Sequence, residues 1–256
     1  MAGAAAALSA LLFAERARPL RRRTMEQARR IPSNVALGAG CMLVVTAIEV
    51  PITRVIARAN EAERRGFAQK FPRRWQTFAA MLAMDYGFYL WHVATHKVPF
   101  LWRFHRVHHL DPDMDTSTAV RFHPLDMLVS LPFRLVQVRL SGANRASLDL
   151  WRHFFNASVL FHHSNLALPK GWDETLSLVL TTPKMHGIHH SKALREQDSN
   201  WTSGFSFWDR LHGTFRSQPP QEAIDIGVAD WKALDDLPVV SALTAPFETQ
   251  PERADA

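Results

Sequence analysis

The stretch Trp91-His-Val-Ala-Thr-His-Lys-Val-Pro-Phe-Leu-Trp-Arg-Phe-His-Arg-Val-His-His109 decides how the chain reads. His92 and His96 stand four apart, and His105, His108 and His109 follow an H-x2-H-H spacing. On a helix, positions three and four apart share a face, so each set is expected to deliver its rings to one place. Downstream, His186-Gly-Ile-His189-His190 repeats the H-x2-H-H spacing, and His162-His163 precede Ser164-Asn165. Together these clusters offer nine or ten imidazoles. One ion takes roughly four to six ligands, so two metals are expected. A nitrogen-rich set suits iron, zinc, copper or nickel; calcium and magnesium want oxygen. Of the 13 histidines, His153 and His212 have no partner at ligand spacing and read as ordinary residues.

Working outward, 256 residues suffice for one substantial domain, and 47% hydrophobic content suffices for a core. The single cysteine, Cys41, excludes a disulfide framework and a cysteine-held metal. A net charge of +6 without interleaved aromatic and basic residues gives no nucleic-acid signal. A mean hydropathy of −0.14 means that any membrane part shares the chain with a large polar part. Met1 to Ala14 is apolar, but its positive residues follow instead of preceding, so it is not a signal peptide. The arginines at 16, 18, 21, 22, 23, 29 and 30 read as the cytoplasmic flank of a span. Ser33 to Ile56, with Pro32 at its start and Glu49 near its end, is the best span; Asn60 to Arg74 reads as a connecting loop. Trp75 to His96 is a second span. Leu125 to Leu140 and Ala146 to Leu168 are weaker, interrupted by Arg134, Arg139, Arg145 and Arg152, and read either as a half-embedded hairpin or as helices packed on a cap.

Asp85 and Tyr89 fall seven residues before His92 and His96, on one helix face. An acid in an apolar helix needs a reason, and ligating histidines usually donate their second N–H to a carboxylate or carbonyl. Asp85 is therefore expected to hold a ligand imidazole.

These residues resemble the fatty acid hydroxylase/sterol desaturase superfamily of membrane non-haem di-iron oxygenases, in a bacterial-type member. The resemblance rests on Asp85-Tyr86, Trp91-His92-x3-His96, Leu101-Trp-Arg-Phe-His-Arg-Val-His-His109, Arg121-Phe-His-Pro-Leu-Asp126, Phe161-His-His-Ser-Asn165, Thr182-Pro-Lys-Met-His-Gly-Ile-His-His-Ser191 and Phe207-Trp-Asp-Arg-Leu-His-Gly-Thr214. The chain departs from the family pattern at Val93, at Asn200-Trp201-Thr202 and at His212, and none of these removes a ligand.

The resemblance implies an all-α integral membrane bundle of about four apolar helices in two hairpins. A cytosolic histidine-rich cap would hold the di-metal centre. It implies a basic segment over 1–31, a catalytic domain over 32–215 and a tail over 216–256. It carries the ligand role to His92, His96, His105, His108, His109, His163, His186, His189 and His190. His162 joins them as a further candidate, and His123 either binds metal or braces the site through its His-Pro motif. Asp85, Tyr89 and Asn165 are the candidate catalytic residues. The implied cofactors are two iron ions, with zinc as a possible substitute, together with O2 and an external electron donor, a cytosolic electron-transfer protein or reductase. The implied activity is hydroxylation or desaturation of a lipid C–H bond at the bacterial inner membrane, metal site facing the cytoplasm. The alternatives are an ether-lipid monooxygenase and a non-catalytic metal- or lipid-binding member.

Overall fold

The computed structural model describes residues 2–229 and 239–249; of the expected tail, 230–238 and 250–256 lie outside the described residues. The described chain is helical, and no strand forms among the described residues. After α1 (Ala2–Ala17) the chain crosses the surface in extended form, and α2 (Gln27–Val44) then runs through one π-helical turn, Val45–Glu49, into α3 (Val50–Glu63). This rod exceeds the expected span at both ends. Pro32 therefore lies inside α2 instead of opening it, and residues 60–63 are helical instead of loop. Buried Arg30 and Asn34 hold the early turn, bonding Asp111 across the fold.

α4 (Arg73–Lys97) begins after Pro72, and α5 (Pro99–His109) opens on a proline whose missing N–H costs nothing at a first helical position. α6 (Pro124–Val129), α7 (Leu131–Ser141) and α8 (Arg145–His163) follow; the Asn144 side chain caps α8 by accepting from Ser147 N–H at 2.9 Å. α8 stops at His163, short of the expected Leu168. Its continuation pairs instead with the N-terminal segment, through Leu20 N–H to Asn165 C=O (2.9 Å) and Ala167 N–H to Arg18 C=O (2.8 Å). Five short helices complete the described chain: α9 (Trp172–Leu176), α10 (Pro183–His189), α11 (Leu194–Gln197), α12 (Phe207–Leu211) and α13 (Val239–Thr244).

α3, α4, α7 and α8 pack around Ala57, Ala79, Ala80, Met84, Val138 and Trp151. The alanines let helix backbones approach closely. At the end remote from the histidines, two turns touch backbone to backbone: a Cβ on Gly66 would lie 2.4 Å from the Gly142 Cα. Both glycines have positive φ (95° and 71°), so each position needs glycine twice over.

Among the described residues, one stretch is long and apolar enough to cross a membrane, Gln27–Lys70. Its most apolar window has a mean hydropathy of 2.0 and is only 17% buried, with Leu43 and Val55 turned outward. α4, bearing Asp85, His92 and His96, falls short of that mark.

Candidate metal centre

The structure gathers the histidines into two buried groups. His92 and His96 of α4, His105 and His109 of α5, and His189 of α10 form the first; His108, His163, His186 and His190 form the second. Within each group the nitrogens that could bind a metal all lie within 4.8 Å of one another.

Neither H-x2-H-H triplet serves a single place, contrary to the expectation from helix faces. His105 and His109 turn one way and His108 the other; His186 and His190 turn to the second group and His189 to the first. At about 100° per residue, the fourth position falls 40° to one side of the first and the third falls 60° to the other. Adjacent histidines thus diverge by about 100°, and each pair straddles both groups.

The nitrogen geometry fits metal ions. His108 Nε2 lies 2.9 Å from His163 Nε2, which lies 3.0 Å from His186 Nε2, which lies 3.2 Å from His190 Nε2. In the first group, His92 Nε2 and His189 Nε2 are 3.1 Å apart. Ligands about 2.1 Å from one ion and at right angles stand about 3.0 Å apart. A chain of neutral imidazoles cannot satisfy so many converging lone pairs with its own protons. His105 Nε2 and both nitrogens of His109 are buried with no hydrogen-bond partner, at a cost that coordination would remove. Burial first, then the neighbouring imidazoles, holds His108, His109, His186 and His190 well below the usual histidine pKa. They are therefore neutral, as ligands must be.

The second ring nitrogens are held by backbone carbonyls. His92 Nδ1–H donates to Trp201 C=O (2.6 Å), His108 to Arg121 (3.1 Å), His163 to Val159 (2.8 Å) and His189 to Ser199 (2.9 Å). These contacts aim the Nε2 lone pairs at the two centres.

Asp85, expected to hold a ligand imidazole, does not touch His92. Seven residues are about 10.5 Å of helix, beyond a carboxylate's reach. Asp85 instead accepts from Phe205 N–H (3.0 Å) and Trp208 Nε1–H (2.9 Å), and so braces the loop that presents the Trp201 carbonyl. Gly204 in that loop packs on it: a Cβ there would lie 2.0 Å from Asp85 Oδ1. Tyr89 bonds Thr214 through its hydroxyl (3.2 Å) and stacks on His212. Asn165 ties down the N-terminal segment, accepting from Arg21 N–H (2.8 Å) and donating to Arg21 C=O (2.9 Å). Its own N–H reaches buried Glu15 (3.0 Å). His162, buried with its ring tilted against that of His186 (centroids 4.1 Å apart), lies outside both groups. So does His123, whose Nδ1 accepts from Leu125 N–H (3.0 Å) and whose Nε2 faces Leu243 C=O (3.2 Å).

Sequence reasoning missed the carbonyl holders, because a backbone acceptor has no residue signature. It also gave no role to Asp209, buried in α12, which accepts from Trp201 N–H (2.8 Å), Thr202 N–H (3.1 Å) and the Thr214 hydroxyl (2.8 Å). An acid set between Trp208 and Arg210 in the motif that ends at Thr214 was the available clue.

A cavity of about 340 Å³ opens against both groups, touching His92, His105, His108, His163 and His186. The rest of its wall is mostly apolar and aromatic, including Phe88, Trp91, Trp151 and Phe155.

Residues 77–214 match the family model for fatty acid hydroxylase. The chain is 29% identical to an ornithine lipid hydroxylase, OlsE, of Rhizobium tropici over 184 residues, covering 72% of this chain and 54% of that one. It is 29% identical to the alkylglycerol monooxygenase of Homo sapiens over 145 residues, 56% of this chain and 31% of that one. It is 31% identical to a cholesterol 25-hydroxylase-like protein of Danio rerio over 147 residues, 55% of each. The chain thus spans about half, or less, of the length of these relatives. No solved structure matches it.

Proposed function

Because the chain belongs to the fatty acid hydroxylase family, we propose that it is a membrane-bound, O2-dependent oxidoreductase that hydroxylates or desaturates a C–H bond of a lipid. The observation that carries this reading is the pairing of two buried histidine groups with one apolar cavity. An unactivated C–H bond yields to no side chain acting alone, whereas a pair of iron ions supplies the oxidation with O2. His92, His96, His105, His109 and His189 would hold one ion, and His108, His163, His186 and His190 the other.

The chain's own part is positioning. Phe88, Trp91, Trp151 and Phe155 take an apolar chain out of water, a gain of roughly 25 cal/mol per Å² buried. The cavity wall brings that chain against His92 and His108 and keeps bulk water away. The carbonyls of Trp201, Arg121, Val159 and Ser199 fix ring orientation, and Asp85 and Asp209 hold the loop that carries Trp201. Asp85 and Tyr89 thus act as positioning residues, and Asn165 through the N-terminal segment. His162 backs the second group, and His123 braces the start of α6.

The histidines sit in a cytosolic cap within the catalytic unit 32–215, where an electron-transfer protein can reach them. α2–α3 and α4 form one bilayer hairpin and α7 and α8 a second, an arrangement supported by the outward apolar residues of the rod. Zinc can replace iron, because it binds nitrogen sites more tightly than Fe(II).

Elemental analysis after anaerobic iron loading is expected to give two ions per chain. Oxygen uptake should then depend on added lipid and reductant. Well below one ion per chain would sink the proposal.

A further inference from the structure

Two of the charges that interrupt the apolar helices, Arg134 and Arg152, meet Glu49 inside the cavity. Glu49 closes the π turn, almost fully buried, with Arg134 Nε 3.4 Å and Arg152 Nη2 3.5 Å from its carboxylate. All three residues line the cavity that the histidines line elsewhere.

The π turn is what aims Glu49 inward. Leu37 and Cys41 mark the buried stripe of α2, and Thr53, Ala57 and Asn60 that of α3. From Cys41 to Glu49 is about 2.2 turns of regular α-helix, which would swing Glu49 about 80° off the stripe. The wider turn absorbs the extra residue, and such turns recur at functional sites.

Inside the cavity Glu49 faces two guanidinia, those of Arg134 and Arg152; Arg152 also reaches outward to half-exposed Asp149, which pairs with Arg54 and Arg145 at the surface. Asp126, the other acid on the cavity wall, sits by His105 instead, 3.9 Å from its Nδ1. Arg152 donates to Thr53 at 2.6 Å, but the two terminal nitrogens of Arg134 make no hydrogen bond among the described residues. An unspent guanidinium fork on a mostly apolar cavity wall suits an oxyanion taken bidentately. Ionisable groups at bilayer depth are costly and are kept for such uses.

The cluster also lies at a set distance from the histidines. The Arg134 guanidinium carbon is 6.0 Å from the Phe88 ring, whose centroid is 6.0 Å from that of His92. Along α8, Arg152 and His163 are separated by about 16 Å of rise.

We propose that Arg134, backed by Arg152 and Glu49, anchors the anionic group, a carboxylate or phosphate, of an amphiphile whose apolar chain runs on to the histidines. The cavity then selects the oxidised carbon by its distance from that group. This rests on the lipid-oxidising reading of the same cavity.

Trp91 and Trp151 line the cavity and report occupancy through quenching by brominated acyl chains. The full chain in neutral detergent is titrated with a dibromo fatty acid, its methyl ester and the matching lysophosphatidic acid. At least one anion should quench at about tenfold lower concentration than the ester, the effect of one charge-assisted hydrogen bond. Whichever anion prevails identifies carboxylate or phosphate. Arg134→Gln should erase the preference while ester binding stays, and Arg134→Lys should keep part of it. Equal quenching by the ester and both anions in the unaltered protein overturns the proposal without any variant. So does a preference that survives in Arg134→Gln. The readout is binding, measured with and without iron, so failure of lipid oxidation and failure of the anchor are separately visible.

Discussion

Substituting Gly204 by alanine tests whether Asp85 braces the loop over the histidines. The new methyl would lie 2.0 Å from Asp85 Oδ1 and 2.9 Å from Phe154 Cε1, so the carboxylate must move. Moving it breaks the bonds from Phe205 N–H and Trp208 Nε1–H. Leaving a buried donor unpaired costs roughly 1–3 kcal/mol, so losing both partners in Gly204→Ala should cost about 3 kcal/mol. For a chain of this size that lowers Tm by roughly 6–12 °C. Asp85→Ala removes the same two acceptors and should cost a similar amount. In the double variant the methyl enters space the carboxylate has left, so the costs should not add. The coupling should reach about 2–3 kcal/mol, within the range for residues in contact. Thermal unfolding of the four proteins in one detergent measures it. Additivity within about 0.5 kcal/mol would refute the brace. Metal retention gives a second readout: both single variants should bind iron roughly 10–100-fold more weakly, because the Trp201 carbonyl loses its hold on His92.

Four further expectations follow from the same contacts. His108→Ala should lose one of the two ions after iron loading, whereas His153→Ala, whose ring faces its own helix at Asp149 C=O, should keep both; elemental analysis separates them. Arg30→Met leaves Asp111 and Asp115 buried without their cation, and should cost about 3–5 kcal/mol by thermal unfolding. Burial would raise the Asp115 carboxyl, but the hydrogen bonds and charge of Arg30 prevail and hold it below the usual range. Its stabilisation is therefore complete above the unfolded value near about 4 and disappears as pH falls through the native one, so Asp115→Asn should flatten the acid limb of a stability-against-pH curve. Glu15→Ala removes the acceptor of Thr116 and Asn165 N–H, and should speed proteolytic release of the N-terminal segment without changing metal content.

The histidine clusters were legible because helical spacing alone brings i and i+4 together, and His92 with His96 needed nothing more. That each triplet splits between two groups was legible too, had the 100° between neighbours been followed. The carbonyls of Trp201 and Ser199 were not, because their place depends on Asn200 at φ 52° and on Asp209 eight residues beyond Trp201. Asp85 was rightly singled out as an acid needing a partner, but its partners come from residues 205 and 208, a tertiary fact. Arg134 and Arg152 read as faults in apolar helices because their counter-ion, Glu49, lies about a hundred residues away in sequence and reaches them through an irregular turn. The helix ends at 163 and 63 were set by chain segments with no local signal, the N-terminal strap and the left-handed Arg64.

His108 with His109, and His189 with His190, each send one ring to either group, and His109 stacks on His190 at 4.2 Å across them. The two sites therefore share the same two pieces of backbone. A rotation of α5 moves ligands of both groups at once, so neither group can be adjusted alone. Occupation of one fixes the helix register the second needs, and loading is expected to be cooperative, with singly filled chains scarce during titration and the second ion lost soon after the first.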